Sequence, residues 1–408
     1  MVAVGVDVSN GTSTVAVVRS KTEMAGEPFT VQHTVDGVGK LVKVLDSFTE
    51  EVRIVMEYTG NYHAPIAEAL STAGYFVCCI NPLAVKEYRD GTNVRKVKTD
   101  KADALKIAHF ALDNWDILPY HSAMDTIRFE LKDVNRQFQT ESRIRTELCN
   151  SLISKLELCY PGIHKAFESP VRNDGSQKWV DFVDTFWHKD CVAGVSLKVF
   201  SERYCKWCKR HGYLFSAEKA AELHADARQM IAVMPKSETC KFTVKTAVES
   251  INAVSRAVES LRSEMYRLAS QLPEFETVMQ MTGVGKSMGP QLIAEIGDIR
   301  RFTHQKSLVG FAGTDPIKSE SGDKVPGSSP VSKRGSPCLR KTLFIIMTAL
   351  IQLKPQDDPV YQFIDKKRSE GKHYHVYMTA GMTKFLRIYY GKVRDALIEK
   401  GLWEQNTP

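Results

Sequence analysis

Asp7, Glu57, Asp100 and Asp103 are the residues in this chain whose types and spacing best suit a chemistry. All four fall in its first quarter. Carboxylates at strand ends and on a flanking helix supply hard oxygen ligands. Such a set holds magnesium, in pairs of ions that clamp the attacking and leaving oxygens of a phosphodiester. Asp7 lies in VAVGVDVSN, where Val2, Val4, Val6 and Val8 alternate with Ala3, Gly5 and Asp7. That period of two reads as a strand with valines on one face and the acid on the other. Glu57 ends the apolar run RIVMEY, just before the turn signal TGN. Asp100 and Asp103 open the helical stretch KTDKADALKIAHFAL, three residues apart and so on one face. The ordinary alternative is that a lone strand Asp caps a turn and that DxxD caps a helix. Four acids in this order weigh more than any one of them.

The elements between them support that weight. TSTVAVV and FTVQHTV read as further strands, VGKLVKVLDSF and HAPIAEALSTAG as helices, and YFVCCI as a buried strand. Three short strands followed by alternating helices and strands fit a mixed sheet flanked by helices. An acid set into such a sheet without a metal or partner is costly.

GVDVS, MEYTGNYH, INPLAVKEYRD and VRKVKTDKADALKIA resemble the N-terminal RuvC-like domain of the DEDD transposases of bacterial insertion sequences, a family that includes the Piv-type DNA invertases. MTGVGKSMGPQLIAEIGDIRRFTHQKSLVGFAGTDPIKSESGDK resembles the family's C-terminal transposase domain. The resemblance implies a ribonuclease-H/RuvC-like catalytic domain at 1–120. It further implies a mainly helical transposase domain at 275–408, while the less typical middle, 121–274, reads from its own periodicity as a helical, coiled-coil linker with a Cys- and Trp-rich insertion. Its D–E–D–D acids fall on Asp7, Glu57, Asp100 and Asp103, expected to bind two magnesium ions. Its serine falls on Ser321, expected to attack a DNA phosphate and form a phosphoserine link. A non-coding bridge RNA, pairing with donor and target DNA, is the partner the family implies. Two further readings stay open: a RuvC-like junction endonuclease using metal-activated water, and a non-catalytic nucleic-acid scaffold.

The basic residues suit either kind of nucleic-acid partner. Arg95, Lys96 and Lys98 precede the Asp pair, and Lys333, Arg334, Arg340 and Lys341 follow the serine-rich run. Gly283 and Gly285 form a tight turn with Lys286 entering a helix, a helix-hairpin-helix-like device whose backbone N–H groups can meet a phosphate. A formal net charge of +7 over 408 residues agrees with this, as it does with many proteins.

From Met124 to Leu158 the chain carries an amphipathic helical pattern. Ala247, Ile251, Val254, Val258, Leu261, Met265, Leu268 and Leu272 then step by four and three, an a/d seam that fits an intramolecular hairpin or a second protomer. Recombinases act at paired DNA sites, so a homo-oligomer is expected, a dimer assembling to a tetramer. His188, Cys191, Cys205 and Cys208, with His211 nearby, have zinc-like spacing, but helical periodicity across 198–213 argues that the cysteines merely share a face. Nine cysteines, an odd number, point to a reducing compartment, and no apolar run reaches membrane-spanning length. The expectation is a cytoplasmic protein with no leader, anchor or membrane partner.

Overall fold

A computed structural model of the chain describes residues 1–58, 62–80, 85–86, 88, 99–118, 126–316 and 331–403. Arg95, Lys96, Lys98 and Ser321 lie outside the described residues. The chain forms two compact units, Met1–Ala123 and Met124–Pro408.

In the first unit, β1 (Val2–Val8), β2 (Thr12–Ser20), β3 (Glu23–Met24) and β4 (Phe29–Gln32) lead into α1 (Val35–Leu45). Then come β5 (Val52–Glu57), α2 (Ala64–Thr72), β6 (Phe76–Ile80) and α3 (Asp100–Asp113). Among the described residues these make a six-stranded sheet in the order β3-β2-β1-β5-β6, with β4 also on β2. β3 pairs with the far end of β2 and β4 with its near end, so together they stand where one third strand is expected. β1 and β2 are antiparallel, whereas β1, β5 and β6 run parallel. An antiparallel meander continued by parallel strands with helical crossovers is the ribonuclease-H/RuvC-like arrangement.

Both faces of this sheet are covered, which the alternation in β1 did not convey. The even valines pack with Val15, Leu41, Ile54 and Ile66 beneath α1 and α2. Each such side chain, fully withdrawn from water, stabilises the fold by roughly 1.5–3 kcal/mol. The odd residues face α3, whose Ile107 and Ala108 share a core with Ala3 and Val55. Gly5 permits that approach: a Cβ there would lie 2.1 Å from the Ala104 carbonyl oxygen and 2.4 Å from the Ala108 nitrogen.

The second unit is helical and built on two long elements, α4 (Thr126–Cys159) and, after α5 (Lys178–Thr185), α6 (Asp190–Ala193), α7 (Leu197–His211) and α8 (Ala217–Gln229), the helix α9 (Glu238–Ala269). α4 and α9 are antiparallel partners. The Arg262 guanidinium lies 5.7 Å from the Phe138 ring centre, and farther along Arg145 Nε donates to Ser255 Oγ at 2.8 Å. The seam read from Ala247 to Leu272 is thus used within the chain.

Each end of this pair is buried in a different core. Leu152, Leu156, Val248 and Ile251 join Phe182, Phe200, Tyr204 and Trp207 from the short helices. Here the aromatic residues serve packing: the Tyr204 and Trp207 rings stack 5.6 Å apart at 14°. Leu131, Phe138, Val258 and Met265 join the second core with the remaining helices. These are α10 (Phe275–Met279), α11 (Met288–Ile296), α12 (Gln305–Ala312), α13 (Pro337–Leu353), α14 (Pro359–Ser369) and α15 (Tyr374–Glu399). Among the described residues no helix is long and apolar enough to cross a membrane.

The residues with zinc-like spacing have other engagements. His188 uses both ring nitrogens locally, Nε2 at 3.0 Å from the Met234 carbonyl and Nδ1 accepting from the Asp190 amide at 3.0 Å. Cys205 and Cys208 share α7, with Cys208 fully buried in the aromatic core. Among the described residues no group of three or more His, Cys, Asp or Glu side chains is spaced to hold a metal ion.

Candidate active site and the stem of the serine segment

β1 and β5 run parallel with Val6 opposite Met56, so the next residues along, Asp7 and Glu57, emerge side by side at the strands' carboxyl ends. α3 crosses β1 on the Gly5 face, with Ala104 and Ala108 seated against the strand. Asp103, one residue before Ala104, is thereby carried to the level of Asp7. The helix is started by Thr99, whose Oγ1 accepts from the Ala102 amide at 3.2 Å. Thr99 therefore fills the capping role that DxxD was weighed for, and Asp100 and Asp103 occupy the first helical turn.

The electrostatics show that these acids share one field. Burial, then Asp103, then Asp100 push the Asp7 carboxyl up to about 6. Glu57 is also held above the ordinary carboxylate range, by burial first and then by Asp7 and Asp103, with Lys106 opposing. Like charges drawn together at a half-buried sheet end disfavour ionisation, a strain that a hard divalent cation relieves. The donor chemistry fits such an ion, although the acids converge without closing into a ready cage. Lys106, one turn beyond Asp103 on α3, was not singled out in the sequence. Its i, i+3 spacing from Asp103 was the available signal.

In the second unit the serine-bearing segment has a defined stem. Pro316 pairs with Val331, the Lys333 amide donates to the Gly313 carbonyl at 3.1 Å, and the Ser336 amide donates to Phe311 at 3.1 Å. Ser332 Oγ donates to Asp315 Oδ1 at 2.6 Å. Gly335 is required there because a Cβ would lie 1.9 Å from the Phe311 oxygen. Arg340 donates to the Ala312 and Gly335 carbonyls at 3.0 and 2.8 Å, so this candidate nucleic-acid contact holds the stem. Lys341 donates to Gln139 at 2.9 Å, while Lys333 and Arg334 are exposed.

The turn at Gly283 and Gly285 joins α10 to α11. Gly283 takes a left-handed φ of 80° against Leu350 and Ile346, and Gly285 faces open space. Lys286 is exposed beside it. Below the stem, Glu295 at the end of α11 is buried and accepts from Asn135, Arg136 and Ser336, a junction the sequence did not reveal.

Two family models match this chain. Residues 4–161 match one for IS110-type DEDD proteins described as "Transposase", and residues 275–362 match one described as "Transposase IS116/IS110/IS902 family". A Streptomyces coelicolor protein, named provisionally as the mini-circle transposase for IS117, is 26% identical over 301 residues, covering 71% of this chain and 70% of that protein. The pilin gene-inverting protein of Moraxella bovis is 27% identical over 173 residues, 41% of this chain and 53% of its own length. Among solved structures, RuvC of Thermus thermophilus is similar, with 19% identity over 29% of this chain and 96% of its own, at a TM-score of 0.23.

Proposed function

The chain belongs to the IS110-type DEDD transposases, enzymes of DNA recombination, and we propose that it recombines DNA at its element's ends with its acids and a serine nucleophile. The observation that carries this reading is the shared field of Asp7, Glu57, Asp103 and Asp100. These four residues would hold magnesium, which supplies charge neutralisation at the attacked phosphate and lowers the barrier to proton loss from a hydroxyl. Asp7 and Glu57, whose carboxyls burial and neighbouring acids hold above the ordinary range, would give up any retained proton in order to hold such an ion. Thr99 and the Gly5 contact keep the Asp100 and Asp103 turn in register with β1.

Ser321 is the proposed nucleophile. Its Oγ forms a bond to phosphorus as the bond from phosphorus to a sugar oxygen breaks. The displaced oxygen leaves as a hydroxyl, taking up in sum the proton that the serine gives up. The phosphodiester energy stays in the phosphoserine link, so rejoining to a second strand needs no nucleotide hydrolysis. Arg95, Lys96, Lys98, Lys286, Lys333 and Arg334 are proposed backbone contacts, with a flanking non-coding RNA choosing the DNA and a homo-oligomer pairing the sites.

The test is a cleavage reaction with purified protein, the element's flanking RNA, magnesium and end-labelled donor DNA, resolved on a denaturing protein gel. A labelled band at protein mass that vanishes in Ser321→Ala supports the serine mechanism. Cleaved DNA with free ends and no protein adduct overturns it in favour of metal-activated water.

A further inference from the structure

Gly391 stands inside α15, at a position where almost any side chain would favour the helix more. Packing does not ask for it. A Cβ on Gly391 would meet no atom within 4 Å, whereas one on Gly381 of the same helix would lie 2.7 Å from the Ile364 side chain. What the missing side chain leaves open is the floor of a cleft of about 290 Å³, between α15 and residues 303–305 at the start of α12. Tyr390 holds the two walls together, its hydroxyl donating to the Phe302 carbonyl at 3.0 Å.

Arg387 and Arg394 flank that floor, about one helical turn before and after Gly391, and both are exposed. Arg387 makes no hydrogen bond, ion pair or ring contact among the described residues. Arg394 donates to the carboxylate of its neighbour Asp395 at 3.0 and 2.8 Å, an exposed pair of the kind that contributes little. On the facing wall the side chains of Thr303 and Gln305 have no partner among the described residues, and His304 uses Nδ1 to accept from the Lys306 amide at 3.1 Å. None of the residues lining the cleft is acidic. Solvated arginines on a helix face are ordinary. Two of them astride a glycine that no packing requires, with a hydroxyl and an amide across the cleft, suit an anion with several acceptor oxygens.

We propose that this cleft is a phosphate seat for a nucleic-acid backbone, with Arg387 and Arg394 as its clamps and Gly391 as its floor. This rests on the recombinase reading and deepens it by naming a contact on the second unit. Its ligand is the phosphodiester shared by DNA and RNA, held without regard to base sequence. A side chain at position 391 would take the place of the phosphate.

The test compares full-length wild type, Arg387→Gln, Arg387→Lys and Gly391→Leu. Anisotropy titrations use a labelled DNA duplex and, separately, a labelled single-stranded RNA over a salt series, and thermal midpoints are taken without nucleic acid. Arg387→Gln is expected to bind about five- to eightfold more weakly near 0.1 M salt, with a log–log salt slope shallower by about 0.9 on duplex or about 0.7 on single strands. Arg387→Lys should keep the wild-type slope. Gly391→Leu changes no charge and suits a helix better, so it should lose at least as much affinity while its thermal midpoint stays equal or rises. A change on one probe alone assigns the seat to that nucleic acid. Unchanged affinity and slope in Arg387→Gln on both probes, or wild-type binding by Gly391→Leu, overturns the proposal. A lowered thermal midpoint in Arg387→Gln also overturns it, because the arginine would then serve the fold. Wild type that binds neither probe overturns the recombinase reading as well, whereas wild-type binding with indifferent variants overturns the seat alone.

Discussion

Ser336 donates its hydroxyl to Glu295 at 2.8 Å while the same oxygen accepts from the Leu339 amide at 3.2 Å. One side chain thereby caps α13, occupies a buried carboxylate on α11 and ends the stem of the serine segment. Ser336→Ala is expected to lower unfolding free energy by about 1–3 kcal/mol, combining a lost cap with a lost donor to a buried acid. Ser336→Thr should recover most of that. Urea titrations of the three proteins at one pH decide it, and an Ala variant as stable as wild type removes the junction's importance.

Arg128 and Glu274 form a bidentate pair with side chains only 4% and 2% exposed. Breaking one half leaves a bare buried charge. Arg128→Met is expected to destabilise by about 3–5 kcal/mol, and Arg128→Met with Glu274→Leu by much less. A double variant no better than the single one contradicts this account of the pair.

Asp7 gives a pH dependence whose sign follows from its raised pKa. The carboxyl titrates near 3.8 when unperturbed and at about 6 in the folded protein. The fold therefore favours the protonated form. The penalty for ionising it is absent below about pH 4 and complete above about pH 6. In EDTA, Asp7→Asn should melt with wild type near pH 4 and higher than wild type near pH 7, by about 1–3 °C. Added magnesium should then raise the wild-type midpoint and leave Asp7→Asn unmoved. Equal midpoints at both pH values show that the acids are not in mutual strain.

Gly5→Ala probes the approach of α3 to β1. The new methyl would meet backbone atoms of Ala104 and Ala108 at 2.1 and 2.4 Å, contacts that require the helix to move. Stability is expected to fall by about 1–3 kcal/mol or more, with magnesium stabilisation weakened because Asp103 moves with the helix. Wild-type values for both in the Ala variant would mean that the helix yields without disturbing the acids.

Much of this arrangement is written in short-range pattern. Alternating valines in β1, the Thr99 cap before α3 and the four-three stepping from Ala247 to Leu272 each depend on residues within a turn or two, where periodicity and capping act directly. Other features depend on partners far apart in the chain. The split third strand, the burial of both sheet faces, the engagement of His188 by Met234, and the convergence of Asn135, Arg136 and Ser336 on Glu295 have no local signature. The zinc-like spacing could not be weighed further for that reason: spacing along the chain cannot report that both ring nitrogens of His188 are already occupied. By itself the sequence determined which residues carry charge, which faces are apolar and which acids are available for chemistry. The tertiary structure alone decided that Asp7 and Asp103 would share a field across Gly5, and that Asn135, Arg136 and Ser336 would meet on Glu295, because both outcomes depend on the packing of segments that local propensity does not couple.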